Sequence, residues 1–309
     1  MKVAILDDYQ NVALRMADWS SVASRAEITV FNDHVADPEA VIERLMPFDV
    51  ICVMRERTLE RLPQLKLIAS TARRNASIDM AAAEERGIHV TGTGYRSTPT
   101  IAMTWALILA SARHIVRESN SVRRGGWQTS IGRELSGRTL GVLGLGNIGA
   151  QVARIGLAFG MKVIAWSQNM TAETAKAAGA TLVAREELFR EADVVTIHLV
   201  LSECTRGLVG AAELELMKPA SWLINTSRGP IVDEAALIRT LESRAIAGAA
   251  IDVFGIEPLP VGHPFRRLDN VLATPHIGYV AENLYRTFYG DAAISISAWL
   301  DEIAESGQA

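Results

Sequence analysis

Four short stretches of this chain combine residue types that could bind a cofactor and move a proton. The first is Gly141-Val142-Leu143-Gly144-Leu145-Gly146-Asn147-Ile148-Gly149, which contains G-x-G-x-x-G as Gly144, Gly146 and Gly149. An apolar strand pattern enters it and an amphipathic helix pattern leaves it, the context in which this motif carries a mechanism. Gly144 is expected to allow a tight turn, Gly146 to let a pyrophosphate approach the backbone, and Gly149 to let helix pack closely on strand. The amides of Asn147 and Ile148, at the helix N-terminus, are expected to face the phosphates. The other three stretches each place polar residues directly after an apolar strand pattern. They are Asn225-Thr226-Ser227-Arg228-Gly229-Pro230, Asp252-Val253-Phe254-Gly255-Ile256-Glu257-Pro258 and Thr274-Pro275-His276-Ile277-Gly278-Tyr279. In an open parallel sheet, ligands bind beyond the carboxyl ends of the strands, so all three fall on the side of the glycine turn.

The adenosine end of the cofactor is less defined. An acidic residue about 20 positions past the glycine turn holds the ribose in NAD enzymes. Here the segment reads Ala165-Trp166-Ser167-Gln168-Asn169, with neither a carboxylate to repel a 2′-phosphate nor a cation to attract one. Ser167 and Asn169 suit either cofactor, so the expectation is NAD or NADP with no preference between them.

The elements that must position these residues alternate along the chain. Strand patterns lie at 2–6, 28–31, 50–53, 66–70 and 88–91, with helix patterns at 38–45 and 78–86 between them. A long apolar helix is expected from about 99 to 118, leading to the loop Arg123-Arg124-Gly125-Gly126-Trp127. A second series has strands at 139–143, 162–166, 194–198, 222–225, 247–253 and 271–273. Its helices are expected at 148–159, 172–178, 185–191, 213–217 and 234–243, and a last helix pattern runs from about 281 to 300. Such alternation predicts parallel sheets covered by helices, and six strands with crossovers predict a dinucleotide-type doubly wound sheet.

Composition narrows the function. With 309 residues and a net charge of −4, the chain is long enough for two domains and has no basic block to draw nucleic acid or an anionic membrane. Cys52 and Cys204 lie too far apart in sequence to suggest a disulfide framework or a zinc site, which fits a reducing cytoplasm. The N-terminal apolar run is too short for a signal peptide, and the most apolar stretch, 101–112, is too short to span a bilayer. No metal is expected.

Together the motifs resemble the D-isomer-specific 2-hydroxyacid dehydrogenases, over essentially the whole chain. The resemblance rests on Gly-Leu-Gly-Asn-Ile-Gly at 144–149, Asn-Thr-Ser-Arg-Gly at 225–229, Asp-Val-Phe at 252–254 with Glu-Pro at 257–258, and Thr-Pro-His-Ile-Gly at 274–278. It implies an α/β fold of two doubly wound parallel-sheet domains. A Rossmann cofactor domain at 100–283 would be inserted into a flavodoxin-like substrate domain made of 1–99 and 284–309. It implies that Arg228 binds the carboxylate and carbonyl of a 2-keto acid with its planar, always charged fork. It implies that His276 is the general acid/base and that Glu257 keeps its imidazole oriented and protonated. Asp252 and the backbone at Thr226 would hold the nicotinamide carboxamide. His198 is read as structural or cofactor-adjacent.

Two stretches depart from the family. Where the family has small residues in a substrate-binding loop, this chain has Arg73, Arg74 and Asn75, one of which is expected to contact the substrate or shape its access; the extra cationic charge would suit a second acidic group on the substrate. Leu199-Val200-Leu201 stands where a proline is common. The family also implies a homodimer through the 99–118 helix and the Arg-Gly-Gly-Trp loop. With only nine residues beyond Leu300, no C-terminal regulatory domain is expected. Two other functions share the fold: a dinucleotide-sensing corepressor, and oxidation of formate or phosphite. The formate enzymes pair their histidine with glutamine, whereas Glu257 stands here.

Overall fold

The computed structural model describes residues 1–53, 61–71 and 78–306. The chain divides into two compact units, Met1–Arg96 with Val280–Ala309, and Ser97–Tyr279.

The first unit holds a five-stranded parallel sheet: β1 (Lys2–Ile5), β2 (Glu27–Val30), β3 (Val50–Val53), β4 (Leu67–Ser70) and β5 (His89–Gly92). The spatial order is β2-β1-β3-β4-β5, which is the flavodoxin-like doubly wound order. Every residue of β3 and β4 is buried, so both faces of the central strands are covered and their sequences are continuous apolar runs. Two very short helices, α1 (Ala13–Met16) and α2 (Ser20–Ala23), follow β1. They have too few turns to leave a period in the sequence. Asp37 and Pro38 start α3 (Pro38–Leu45), with the Asp37 carboxylate accepting the Ala40 amide at 3.2 Å. Asp79 caps α4 (Met80–Glu85) in the same way, and Gly87, at φ +66°, ends it.

The second unit opens with α5 (Thr98–Ala112) and α6 (Ile115–Arg123). The single helix expected over 99–118 is therefore two. His114 takes the left-handed conformation at φ +50° and turns the chain. The break follows from burial: α5 is apolar almost all round and packs on the sheet, whereas α6 is amphipathic, buries only Ser121 and stays at the surface.

Seven parallel strands follow: β6 (Thr139–Leu143), β7 (Lys162–Trp166), β8 (Thr181–Leu182), β9 (Val194–Ile197), β10 (Trp222–Asn225), β11 (Gly248–Ile251) and β12 (Val271–Ala273). Their order, β12-β11-β10-β9-β6-β7-β8, reverses between β6 and β9. This is the Rossmann arrangement with one added edge strand, and the reversal is the switch point where dinucleotides bind. The two-residue β8 was not legible in the sequence, so seven strands stand where six were expected.

Helices α7 (Asn147–Ala158) and α8 (Ala172–Ala177) belong to the first half of this sheet; α9 (Arg185–Glu191), α10 (Ala211–Glu215) and α11 (Glu234–Glu242) belong to the second. Two apolar clusters cover the faces. One joins Leu140, Val142, Val152 and Val163 to Trp105 and Ile108 of α5. The other joins Leu143, Val195 and Leu223 to Leu188, Leu237 and Phe254.

The last helix, α12 (Glu282–Ser306), returns to the first unit and runs six residues past its expected end. It is fastened there by Asp291, which accepts the Gly94 amide at 2.7 Å, and by Tyr285, whose hydroxyl donates to Gln10 at 3.2 Å. Among the described residues, no single helix is long and apolar enough to cross a membrane.

Candidate active site

The glycine turn lies at the switch point. Gly144 has φ +97°, and a Cβ there would sit 2.8 Å from the His198 carbonyl oxygen at the end of β9. A Cβ on Gly149 would sit 2.0 Å from the Gly144 carbonyl oxygen, so only glycine lets α7 start this close to β6. Gly146 differs: a Cβ there would meet nothing within 4 Å. Its backbone borders open space beside the first turn of α7, where the amides of Asn147 and Ile148 have no carbonyl of their own helix to bond. Small backbone, unused donors and the positive helix end together suit a pyrophosphate, so the residues present fit a dinucleotide.

Ser167 follows β7 and is half-buried, with Gln168 and Asn169 exposed beyond it. A cation does stand nearby, though not in this segment. The Arg185 guanidinium, from the start of α9, lies 5.9 Å from the Trp166 ring centroid and faces Glu213 at 3.3 Å and Glu186 at 3.6 Å. Nineteen residues separate Arg185 from Trp166, so no local pattern could have joined them.

His198 bonds the Thr196 hydroxyl through Nε2 at 2.9 Å. Enclosure by protein pushes its imidazole down to about 3, which keeps it neutral beside the glycine turn. The following residues, Leu199 and Leu201, pack against the apolar cluster, and the Leu199 carbonyl accepts the Ser227 hydroxyl at 2.6 Å.

The loop after β10 is braced from within. Buried Asn225 donates its side-chain amide to the Arg228 carbonyl at 3.0 Å and accepts the Ser227 amide at 3.0 Å. The Thr226 hydroxyl lies 2.8 Å from that of Thr104 on α5. Thr104 gives its own proton to the Thr100 carbonyl, so Thr226 is the donor of the pair. Thr104 was not found by sequence reasoning because a threonine inside an apolar helix carries no distinguishing signal. Arg228 is exposed, and Nη1 donates to the Ser227 carbonyl at 2.7 Å.

Asp252, at the end of β11, is 1% exposed. Its Oδ1 accepts the Thr274 hydroxyl at 2.6 Å and the Ile277 amide at 2.9 Å. Its Oδ2 accepts the Gly278 amide at 2.7 Å. Each bond to a charged acceptor contributes about 1.5–3 kcal/mol, against a desolvation cost of several kcal/mol. Burial wins, and the carboxyl is held above the usual carboxylate range. These bonds hold the turn in which His276 adopts φ +53°. Thr274 is a further residue missed from the sequence, where it read only as part of a motif.

Glu257 and His276 meet. Nδ1 of the imidazole lies 2.6 Å from Glu257 Oε2, with 17% and 20% of the two side chains exposed. The second carboxylate oxygen accepts the Phe254 amide at 2.9 Å. An imidazole so held donates from Nδ1 and exchanges protons at Nε2. The Tyr279 ring stands edge-on to it, with centroids 5.5 Å apart. The Arg228 loop touches the Glu257 loop backbone to backbone, since a Cβ on Gly229 would lie 2.1 Å from the Phe254 carbonyl carbon. Arg73, Arg74 and Asn75 lie outside the described residues. Among the described residues, no group of three His, Cys, Asp or Glu side chains is placed to hold a metal ion.

Comparison with known proteins places the chain in a family. The family profile described as D-isomer specific 2-hydroxyacid dehydrogenase, NAD binding domain, matches residues 105–278. The chain is 44% identical over 228 residues to a glyoxylate reductase of Aeropyrum pernix, covering 71% of this chain and 68% of that one. A phosphoglycerate oxidoreductase structure from Vibrio cholerae is 38% identical, with a TM-score of 0.92 over 98% of this chain and 99% of that chain. A D-lactate dehydrogenase from Aquifex aeolicus, complexed with NAD and lactic acid, is 27% identical with a TM-score of 0.79, covering 98% and 96%. The chain belongs to the D-isomer specific 2-hydroxyacid dehydrogenase family and is an NAD(P)-dependent oxidoreductase.

Proposed function

We propose that this enzyme reduces a small 2-keto acid to its D-2-hydroxy acid, with His276 as general acid, Glu257 as its partner and Arg228 as the substrate clamp. The observation that carries this reading is the 2.6 Å contact of His276 Nδ1 with Glu257 Oε2, at the carboxyl edge of the sheet that carries the glycine turn. The bound nicotinamide supplies or accepts the hydride. The chain does the rest. Gly146, Asn147 and Ile148 receive the pyrophosphate, with Gly144 and Gly149 shaping the turn. Ser167 meets the adenosine ribose. Thr226 and Asp252 border the carboxamide, and Asp252 Oδ2 accepts one backbone amide, that of Gly278.

Arg228 offers its fork to the substrate carboxylate and carbonyl, which fixes the keto carbon and polarises it. His276 Nε2 gives its proton to the carbonyl oxygen as negative charge develops there. The carboxylate of Glu257 accepts from Nδ1 and holds the ring plane throughout. In the oxidative direction the same nitrogen takes the hydroxyl proton. A substrate contact from Arg73, Arg74 or Asn75 is part of this proposal.

The test is loss of NADH or NADPH absorbance with glyoxylate, hydroxypyruvate and a panel of larger 2-keto acids. Turnover on at least one is expected. Tight cofactor binding with no turnover on any of them would instead mark a dinucleotide sensor.

We also propose a homodimer. Ile115, Val116 and Val122 of α6 are exposed, as are Trp127 and Ile131, at 75% and 93%. Glu118 shapes this apolar segment by accepting from the Ser130 hydroxyl and then the Thr129 hydroxyl, which hold its carboxyl down at about 2. Light scattering on a size-exclusion column is expected to give twice the chain mass of 33.5 kDa. A Trp127→Asp, Ile131→Asp variant should run as a monomer; a wild-type monomer would end the idea.

A further inference from the structure

A second histidine–glutamate pair lies in the cofactor-sheet unit, away from the first. His263 Nε2 meets Glu234 Oε1 at 3.1 Å. The Phe265 amide donates to His263 Nδ1 at 3.2 Å. A ring nitrogen that accepts a bond carries no proton, so the neutral ring carries its proton on Nε2 and donates it to Glu234. One backbone amide thereby sets the tautomer, and the tautomer sets the direction of the pair.

Glu234 is the first residue of α11, yet it does not cap that helix. Asp233 does so, accepting the Ala236 amide at 3.0 Å. The Glu234 carboxylate turns instead onto the loop after β11, where Oε2 accepts the Gly255 amide at 3.1 Å. The preceding amide, that of Phe254, is the one taken by Glu257. Two carboxylates therefore grip consecutive amides of one loop, Glu257 by way of the loop's own chain and Glu234 from the neighbouring helix. The His263 ring packs on Phe265 with centroids 4.8 Å apart, and buried Phe265 lies against Phe254 at 6.4 Å.

Phe254 anchors one end of this loop in the apolar cluster, but between it and Glu257 the chain offers only Gly255, which has no side chain, and Ile256, which is 68% exposed. We propose that Glu234 and His263 are positioning residues for Glu257: they hold the 254–257 segment at the height from which Glu257 reaches His276. Their side chains bond to the loop and to each other. Both act through Gly255, and because Phe254 abuts Gly229, they also set how the Arg228 loop lies against the Glu257 loop. The proposal rests on the roles proposed above for Glu257 and His276.

Glu234→Gln tests it with little change in shape. A glutamine carbonyl could keep one of the two donors, but its amide would turn a donor on the other. His263→Phe keeps the ring packing and removes the donor, whereas His263→Gln keeps a donor and loses the ring. Misplacing a catalytic group by about 1 Å costs up to ~100-fold, so Glu234→Gln and His263→Phe are expected to lower kcat about tenfold. The KM for NAD(P)H should stay within about twofold, as uniform binding is untouched. His263→Gln should recover most of kcat.

Wild-type kcat in both variants would overturn the proposal. So would a loss of kcat that comes with equal losses in cofactor affinity and melting temperature and that His263→Gln does not recover, because that is general damage. Glu257→Gln run alongside separates two failures. If it keeps full kcat, the reading of Glu257 itself fails. If it loses activity while Glu234→Gln does not, only the positioning role fails.

Discussion

His276→Ala is expected to lower kcat for 2-keto acid reduction about 1,000-fold, within the range of about 10²–10⁴ that a positioned general acid contributes. That corresponds to about 4 kcal/mol of transition-state stabilisation. Arg228 and the cofactor cradle remain in this variant, so the dissociation constant for NAD(P)H should change by no more than about threefold. The sign of the pH dependence is a sharper check than the rate. Reduction needs the protonated ring and falls as pH rises; oxidation needs the neutral ring and rises with pH. Both slopes should flatten in His276→Ala. Glu257→Gln keeps an acceptor for Nδ1 but removes the charge, so kcat for reduction should fall while the NAD(P)H dissociation constant holds. The loss at His276 cannot be ascribed to unfolding if the melting temperature holds, since the side chain lies at the sheet edge and outside both apolar clusters. Retention of kcat within about tenfold in His276→Ala would remove the acid/base role, because it falls below what general acid catalysis contributes.

Arg228→Ala should lower kcat/KM for every 2-keto acid by about 1,000-fold or more, again about 4 kcal/mol. The reason is geometric as well as electrostatic. A guanidinium presents two parallel donors to a carboxylate and neighbouring carbonyl, while an ammonium is a point charge. Arg228→Lys should therefore recover about tenfold over alanine and no more. Stability should barely move. The side chain is exposed, among the described residues its hydrogen bond goes to the adjacent Ser227 carbonyl, and such surface changes usually stay within about 0.5 kcal/mol. A combination of unchanged melting temperature, unchanged NAD(P)H affinity and lost kcat/KM would mark Arg228 as a substrate group. Equal kcat/KM in lysine and arginine forms would contradict the bidentate clamp.

Much of this was legible in the residues themselves. Gly144, Gly146 and Gly149 stand between a strand and a helix, and a backbone turn of that kind leaves few alternatives to glycine at Gly144 and Gly149. Strands β3 and β9 are short, wholly buried apolar runs, and such runs bounded by turns imply parallel sheets covered on both faces. The residues just past β10, β11 and β12 had to fall on one edge of their sheet, because all strands of a parallel sheet end on the same side. What the chain order could not show was the short β8 and the break at His114, since a two-residue strand has no period and a left-handed histidine has no local signature.

The sequence by itself determined which elements form, which loops leave the carboxyl edge, and which residue types those loops carry, because these follow from local patterns of burial and from parallel-strand topology. Only the tertiary structure decided which atoms meet. Glu257 reaches His276 across nineteen residues. Glu234 and His263 join the same loop from a helix and a turn twenty-nine residues apart. Asp252 spends its carboxylate on Thr274, Ile277 and Gly278, and Arg185 comes to lie over Trp166. Each of these contacts depends on the order in which strands pair and helices cross, a property of the whole sheet that no single stretch of chain contains.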